Sequence, residues 1–157
     1  MINAAIVGLG WWGQVLVNSV QGKSDKIRFT KGTTRTLSKA EDFASEKGIE
    51  LVASFEDLLA DPDVDAVVLA TPHSMHRPQT EAAAAAGKHV FCEKPFTLYK
   101  EDAVAASAAA EAAGIILAIG QNRRVNPAFI DLQKRVADNW FGTLLHVEGH
   151  MSAPGLW

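Results

Sequence analysis

The sequence predicts an α/β protein with a doubly wound parallel sheet, and two observations lead to that prediction. Short apolar runs alternate with stretches of helix length in which apolar or alanine residues recur at helical spacing. Glycine or proline separates most of these segments, and six strand-like runs are complete by residue 119. Strands that alternate with helices imply a parallel sheet with right-handed crossovers. Another parallel α/β arrangement, such as a flavodoxin-like one, stays open on this pattern alone.

The predicted strands are runs of apolar and β-branched residues that end at a glycine, a proline or a polar turn. In chain order they span residues 4–7, 26–33, 49–52, 65–70, 89–92 and 115–119. The first and the fourth are almost wholly apolar, which is typical of strands buried on both faces of a sheet.

One predicted helix follows each of the first five strands. In chain order these helices span residues 12–20, 37–47, 55–59, 78–86 and 101–113. Ser54 precedes the third helix, and Asp57 stands at its capping-box position. Glycine directly follows the second, fourth and fifth helices and is expected to end each of them, at Gly48, Gly87 and Gly114.

Composition and charge exclude several classes of protein. The chain has 157 residues, enough for one domain with a core and too few for two complete domains. A hydrophobic fraction of 48% and a formal net charge of -3 argue against a disordered protein and against a nucleic-acid partner. No apolar run is long enough to span a membrane, and the N-terminus is interpreted as a strand rather than a signal peptide. Cys92 is the only cysteine, which excludes an internal disulfide and favours a cytoplasmic location.

Three glycines mark the junction between the first strand and the first helix. Gly8 permits a tight turn, Gly10 leaves room for a pyrophosphate, and Gly13 lets the helix pack closely on the strand. The start of that helix offers free N–H groups and a positive dipole end to phosphate oxygens. Of Trp11 and Trp12, we expect at least one to pack structurally and the other to border the cofactor. A glycine-rich turn without a ligand is the alternative.

The end of the second strand lacks the carboxylate that binds the ribose 2′-hydroxyl in many NAD-binding domains. Thr34 and Arg35 stand there instead. A guanidinium pairs with a phosphate through two hydrogen bonds, so this segment favours NADP over NAD. The alternative is that Arg35 is a solvated surface residue.

Two polar segments follow the fourth and fifth strands. The first contains Thr71, Pro72 and His73, and the second contains Glu93 and Lys94. Both are expected to face the crevice of the glycine turn, because open parallel sheets bind ligands beyond the carboxyl ends of their strands. Lys94 is the predicted catalytic residue, since oxidising an alcohol requires removal of its hydroxyl proton, which a partly desolvated lysine can accept. The alternative is a solvated surface lysine.

The neighbours of these segments carry weaker signals. His73 and His76 look like a metal pair, but two histidines without a further ligand do not complete a zinc site, so no metal is predicted. His76 is expected to line the crevice or to cap the next helix. Cys92 is interpreted as a small buried residue, with a redox role as the alternative. The Lys94–Pro95 peptide is a candidate for the cis form.

Together these motifs resemble the Gfo/Idh/MocA family of oxidoreductases. The resemblance rests on the glycine turn, on residues 70–76 and most specifically on residues 87–95, which read Gly-Lys-His-Val-Phe-Cys-Glu-Lys-Pro. It implies a Rossmann fold with NADP or NAD as cofactor, and Lys94 as the residue that contacts the substrate hydroxyl beside the nicotinamide. The substrate it implies is a sugar, a sugar derivative or a cyclitol. The further residues that it places beside the cofactor are Thr71, Pro72, His76 and Glu93.

The resemblance also divides the chain into a dinucleotide-binding domain at residues 1–122 and the start of a second domain at residues 123–157. Asn122 and Arg123 lie at this crossing and are candidate cofactor contacts. Family members are considerably longer, and their second domain holds the substrate pocket. The resemblance therefore implies a truncated chain that carries only the stump of an α+β domain.

Two elements of that stump follow from the same resemblance. Asn126 is expected to cap a linking helix that begins at Pro127 and runs to Asp138. Residues 144–150 are expected to form the first strand of the second domain's sheet.

Three functions stay open at this point. The first is an oxidoreductase that transfers a hydride between NAD(P) and a hydroxyl of a small sugar-like substrate. The second is a catalytically incompetent dinucleotide-binding module, and the third is a structural subunit whose missing strands come from a partner chain. A homo-oligomer is an open alternative, and neither a nucleic acid nor a membrane is expected as a partner.

Overall fold

The computed structural model describes residues 1–150 and forms two compact units, Met1–Gly120 and a second that begins at Gln121. The first unit holds a six-stranded parallel sheet in the order β3-β2-β1-β4-β5-β6. Its strands are β1 (Ile2–Val7), β2 (Ile27–Thr33), β3 (Glu50–Leu51), β4 (Ala66–Leu69), β5 (His89–Cys92) and β6 (Leu117–Ile119). From β1 the chain adds β2 and β3 on one side and β4, β5 and β6 on the other side. This strand order is the Rossmann arrangement and not the flavodoxin-like one. The predicted doubly wound fold is confirmed.

The helices lie between the strands as the sequence predicts. They are α1 (Trp11–Val20), α2 (Glu41–Lys47), α3 (Phe55–Ala60), α4 (His73–Ala85), α5 (Lys100–Ala112) and, in the second unit, α6 (Pro127–Ala137). The capping box of α3 is confirmed, because Ser54 Oγ accepts from the Asp57 N–H at 3.0 Å and the Asp57 carboxylate accepts from the Ser54 N–H at 3.0 Å. No helix in residues 1–150 is long and apolar enough to cross a bilayer.

Side chains of β1 alternate between two apolar clusters, one on each face of the sheet. Ala4 and Ile6 belong to the cluster beneath α1 and α2, whereas Ala5 and Val7 belong to the cluster beneath α3 and α4. All four are at most 3% exposed. Burial of a valine or isoleucine side chain contributes about 1.5–3 kcal/mol to the stability of the fold. Because β1 supplies buried side chains to both apolar clusters, the packing on both faces of the sheet depends on it.

Two helix boundaries differ from the prediction. Helix α4 begins at His73 and contains Pro78, although the sequence predicts Pro78 in the first turn. The earlier start is stabilised by the Met75 N–H, which donates to the Pro72 carbonyl at 2.8 Å. The predicted helix over residues 37–47 is divided into a 3-10 helix at Leu37–Lys39 and α2.

In the second unit the helix prediction is confirmed and the strand prediction is wrong. Asn126 Oδ1 accepts from the Ala128 N–H at 2.9 Å, and Pro127 occupies the first helical position. Residues 144–150, by contrast, form no strand in the structure, and their side chains are exposed, with Leu145 at 92%. A strand is stable only when a neighbouring strand pairs with its backbone, and the described residues provide none.

Candidate active site

The glycine turn between β1 and α1 is held by backbone contacts that exclude side chains. Gly8 has a φ of 97°, and a Cβ there would lie 2.6 Å from the Ala70 carbonyl oxygen. A Cβ on Gly13 would lie 1.9 Å from the Gly8 carbonyl oxygen. The space beside Gly10 is open, because a Cβ there would meet no atom within 4 Å. The turn therefore leaves no room for a side chain at Gly8 and Gly13, where backbone segments pack together. It leaves open space at Gly10, where a phosphate would approach the start of α1.

A cleft of about 810 Å³ lies at the carboxyl ends of β1, β2 and β4, directly beside this turn. Its walls come from the turn, from the segment after β2, from the start of α3 and from the start of α4. The residues that line it include Gly8, Gly10, Thr34, Arg35, Lys39, Ser54, Phe55, Glu56, Thr71, Pro72, Met75 and Gln79. The cleft thus lies where a doubly wound sheet binds its ligand.

The segment after β2 brings two cations to one end of the cleft. Thr34 and Arg35 line it as the sequence predicts, and Lys39 on the 3-10 helix lines it as well. Sequence reasoning missed Lys39 because the pattern of that stretch predicts a regular helix. The available signal was a second cation close to Arg35 in the chain, after the same strand. A carboxylate is also present, from Glu56 in the first turn of α3.

The segment after β4 contributes a hydrogen-bonded pair to the opposite wall. Thr71 Oγ1 donates to Gln79 Oε1 at 2.6 Å, and the Gln79 side chain is 8% exposed. Pro72 lines the cleft beside them. Sequence reasoning missed Gln79, since the predicted start of α4 at residue 78 gave no reason to turn this side chain toward the sheet.

The segment after β5 carries Glu93 and Lys94, which are not among the residues that line the cleft. Glu93 is buried at 7% exposure, and its Oε2 accepts from the Lys94 N–H at 3.1 Å. Gly120 packs against this carboxylate, because a Cβ there would lie 2.8 Å from Glu93 Oε1. Lys94 is exposed, and within residues 1–150 its ammonium makes no salt bridge. The Lys94–Pro95 peptide is cis, as the sequence analysis allowed.

The two histidines of α4 lie in different environments. His73 is exposed and meets the His76 ring edge-on, with ring centroids 5.6 Å apart. His76 is 0% exposed, and both of its ring nitrogens contact backbone carbonyls. In the part of the chain that the structure describes, no group of three or more metal-ligating side chains comes together. Neither histidine is among the residues that line the cleft. That His73 borders the cofactor stays a prediction, whereas the buried His76 ring offers a cofactor no exposed surface.

Cys92 lies in the core under the Lys94 segment. It is 0% exposed, and burial, followed by the charge of Glu93, raises the pKa of its thiol to about 12. A thiol with this pKa stays protonated at neutral pH and is a poor nucleophile and a poor redox group. The structure therefore favours the interpretation of Cys92 as a small buried residue.

The remaining candidates lie outside the cleft. The rings of Trp11 and Trp12 lie next to each other, with their centroids 5.4 Å apart. Trp11 is 77% exposed, whereas the indole nitrogen of Trp12 is buried and has no hydrogen-bond partner in the structure. Asn122 and Arg123 belong to the 3-10 helix Asn122–Val125 of the second unit. Their contact with a cofactor stays a prediction.

Comparison with known proteins connects these features to one family. Residues 2–121 match the model of the oxidoreductase family with an NAD-binding Rossmann fold, named GFO/IDH/MocA. The chain is 35% identical over 153 residues to scyllo-inositol 2-dehydrogenase (NAD(+)) from Bacillus subtilis, covering 94% of this chain and 44% of the relative. It is 34% identical to 1,5-anhydro-D-fructose reductase from Ensifer adhaerens, covering 90% of this chain and 41% of the relative.

A solved structure with ligands shares the fold. Scyllo-inositol dehydrogenase from Lactobacillus casei, solved with bound NAD(H) and scyllo-inositol, superposes with a TM-score of 0.84 at 29% identity. The match covers 90% of this chain and 42% of that one. The chain therefore spans less than half the length of these relatives. Relatives that are named for NAD(+) and for NADP(+) both occur.

Proposed function

Because this chain belongs to the GFO/IDH/MocA oxidoreductase family, we propose that its cleft binds a nicotinamide dinucleotide and that Lys94 serves hydride transfer to or from a hydroxyl-bearing substrate. The observation that carries the proposal is the glycine turn, which is sterically closed at Gly8 and Gly13 and open at Gly10. A turn that served only to connect β1 with α1 would need no open side facing a cleft. Arg35 and Lys39 also line the cleft, and their positive charges suit the phosphate groups of a dinucleotide.

Each part of the proposed site has its own task. The free N–H groups at the start of α1 bind the diphosphate, and no acidic residue in its first turn opposes that charge. Thr34, Arg35 and Lys39 surround the adenosine ribose, where two cations favour a 2′-phosphate and hence NADP. The cofactor, when bound, supplies the hydride acceptor. With the cofactor in place, Lys94 in its neutral amine form would take the hydroxyl proton of the alcohol as the carbonyl forms.

The proposed substrates are cyclitols, sugars or sugar derivatives, which share a secondary hydroxyl on a ring. This class comes from the relatives, two of which are named for inositol and anhydrofructose. The chain spans 44% of the inositol relative, so we expect the whole reaction to need residues beyond those in the cleft. The second candidate is a binding module without turnover, and a cleft that no described residue closes against water favours it.

Cofactor binding is tested by fluorescence titration with NADPH and NADH. Gly10→Ala should weaken binding at least tenfold, or about 1.4 kcal/mol, because its methyl group fills the open space that the phosphate needs. Gly149→Ala is the matched control, since the space beside Gly149 is also open and lies in the second unit. Equal affinity in wild type and Gly10→Ala would contradict the proposed phosphate site.

Turnover is tested with a panel of cyclitols and sugars by following NAD(P)H absorbance. Lys94→Ala should abolish any reduction of the cofactor and leave the binding titration unchanged. Binding in wild type without turnover on any member of the panel would support the binding module instead. Rapid turnover by this chain alone would show that its residues suffice, against our expectation.

A further inference from the structure

His76 is a buried polar residue for which the proposed reaction has no use. Its ring lies in α4 with 0% exposure, so it presents no surface to the cleft. Nε2 lies 3.0 Å from the Thr71 carbonyl oxygen. Nδ1 lies 2.9 Å from the Phe96 carbonyl oxygen and 3.1 Å from that of Pro95. All three partners are acceptors only.

This set of partners constrains the ring. An imidazole carries an N–H on at least one of its two nitrogens, and the tautomer decides which one. In either tautomer the ring donates to a carbonyl on one side and meets a carbonyl on its other side at hydrogen-bond distance. The ring is therefore in contact with both chain segments at once.

The carbonyls that the ring holds belong to two separate parts of the candidate site. Thr71 lies two residues beyond the end of β4 and lines the cleft. Pro95 and Phe96 directly follow Lys94 in the chain. On the other side of Lys94, its own N–H donates to the Glu93 carboxylate at 3.1 Å. The backbone of Lys94 is thus held on both sides by buried polar groups, although its side chain is exposed.

We propose that His76 is a positioning residue that ties the Lys94 segment to the end of β4 through both ring nitrogens, so that the Lys94 amine reaches the nicotinamide end of the cleft. This role rests on the proposed function of that cleft. In it the ring touches neither cofactor nor substrate. Its effect passes through the backbone of residues 95 and 96, which determines where the preceding lysine points.

The experiment measures protection of the Lys94 amine against acetylation, read by peptide mass spectrometry. In wild type, saturating NADPH should slow acetylation of Lys94 at least fivefold, whereas 2′-phospho-ADP-ribose, which lacks the nicotinamide, should not. His76→Phe retains an aromatic ring of similar size without donors. It should bind NADPH with unchanged affinity at the phosphate turn and lose the protection of Lys94.

Two further proteins separate positioning from packing. His76→Asn retains one amide near the Nδ1 position and should recover part of the protection. His89→Phe is the matched control, because the His89 ring accepts a hydrogen bond from the Ile116 N–H at 3.1 Å and lies outside the site. It should retain full protection even if its melting temperature falls. Wild-type protection in any folded His76 variant would overturn the inference.

A measurement on the unaltered protein completes the test. In a sample with 15N-labelled histidine, a ring N–H of His76 should be visible in proton–nitrogen spectra, because its hydrogen bond to a buried carbonyl slows its exchange with water. A ring N–H of His76 that exchanges as fast as that of the exposed His73 would overturn the tie, whether or not the variants fold. Absence of NADPH binding in wild type would instead refute the proposed function, so the two failures are distinguishable.

Discussion

The two sides of the candidate site are built by opposite means. At the β1–α1 turn the backbone conformation depends on the absence of side chains, because Gly8 and Gly13 pack directly against carbonyl oxygens. At the end of β5 the backbone conformation depends on side chains that contact it. The Glu93 carboxylate accepts from the Lys94 N–H, and the His76 ring contacts the carbonyls of Pro95 and Phe96. The first side depends on residues close in sequence, whereas the second depends on residues brought together by the sheet.

This difference determines how each side should fail. A steric site tolerates no addition, so one methyl group at a closed glycine should affect the whole domain. A site held by polar contacts should lose its geometry while the fold survives, because each contact contributes about 0.5–1.5 kcal/mol, or up to about 3 kcal/mol when charged.

The largest expected effect is at the steric side. Gly13→Ala places a methyl group 1.9 Å from the Gly8 carbonyl oxygen and must displace backbone, which should destabilise the protein by about 3 kcal/mol or more. Urea unfolding followed by tryptophan fluorescence measures this loss. Gly10→Ala is the control for stability, since its methyl group meets nothing within 4 Å. Similar unfolding curves for both variants would refute the steric account of the turn.

A smaller effect is expected from the cations that line the same side of the cleft. Arg35→Ala and Lys39→Ala should each weaken NADPH binding about tenfold, because each removes a charge-assisted contact to the 2′-phosphate of about 1.4 kcal/mol. NADH binding should hardly change. Fluorescence titration of the single and double variants with both cofactors measures this. Parallel losses for NADH and NADPH would contradict the proposed preference for NADP.

The smallest expected effect at neutral pH lies under the other side, at Cys92, and it grows only as the pH rises. Its pKa is raised to about 12 in the folded protein, whereas an unfolded thiol ionises near 9.0. Stability from the buried thiol is therefore complete below pH 9 and is lost as the pH rises toward 12, by about 1.4 kcal/mol per pH unit. Urea unfolding from pH 8 to 10.5 should show a steeper decline in wild type than in Cys92→Ala. Identical slopes would contradict the raised pKa.

Most of the first unit could be predicted because its signals are local. Apolar runs, the glycines that follow helices and the Ser54 capping box each act within a few residues, and the structure has the corresponding elements. One error came from two competing local signals, and the other came from a contact that only a second strand can make. Pro78 suggested a helix start, but bonds made by the preceding residues began α4 earlier, at His73. The family resemblance predicts a strand at residues 144–150, which form none, because pairing requires a second strand.

By itself, the sequence determined the order of strands and helices along the chain, the glycine turn and the strand ends at which Thr71, Arg35 and Lys94 appear. These follow from backbone sterics and hydrophobic periodicity, which act over short stretches of chain. Only the tertiary structure decided that Lys39 shares the cleft with Arg35 and that Gly120 leaves room for Glu93. It also decided that the His76 ring lies between the Thr71 carbonyl and the carbonyls that follow Lys94. Such contacts join positions far apart in the chain, and they exist only after burial of the sheet brings their atoms within hydrogen-bond distance.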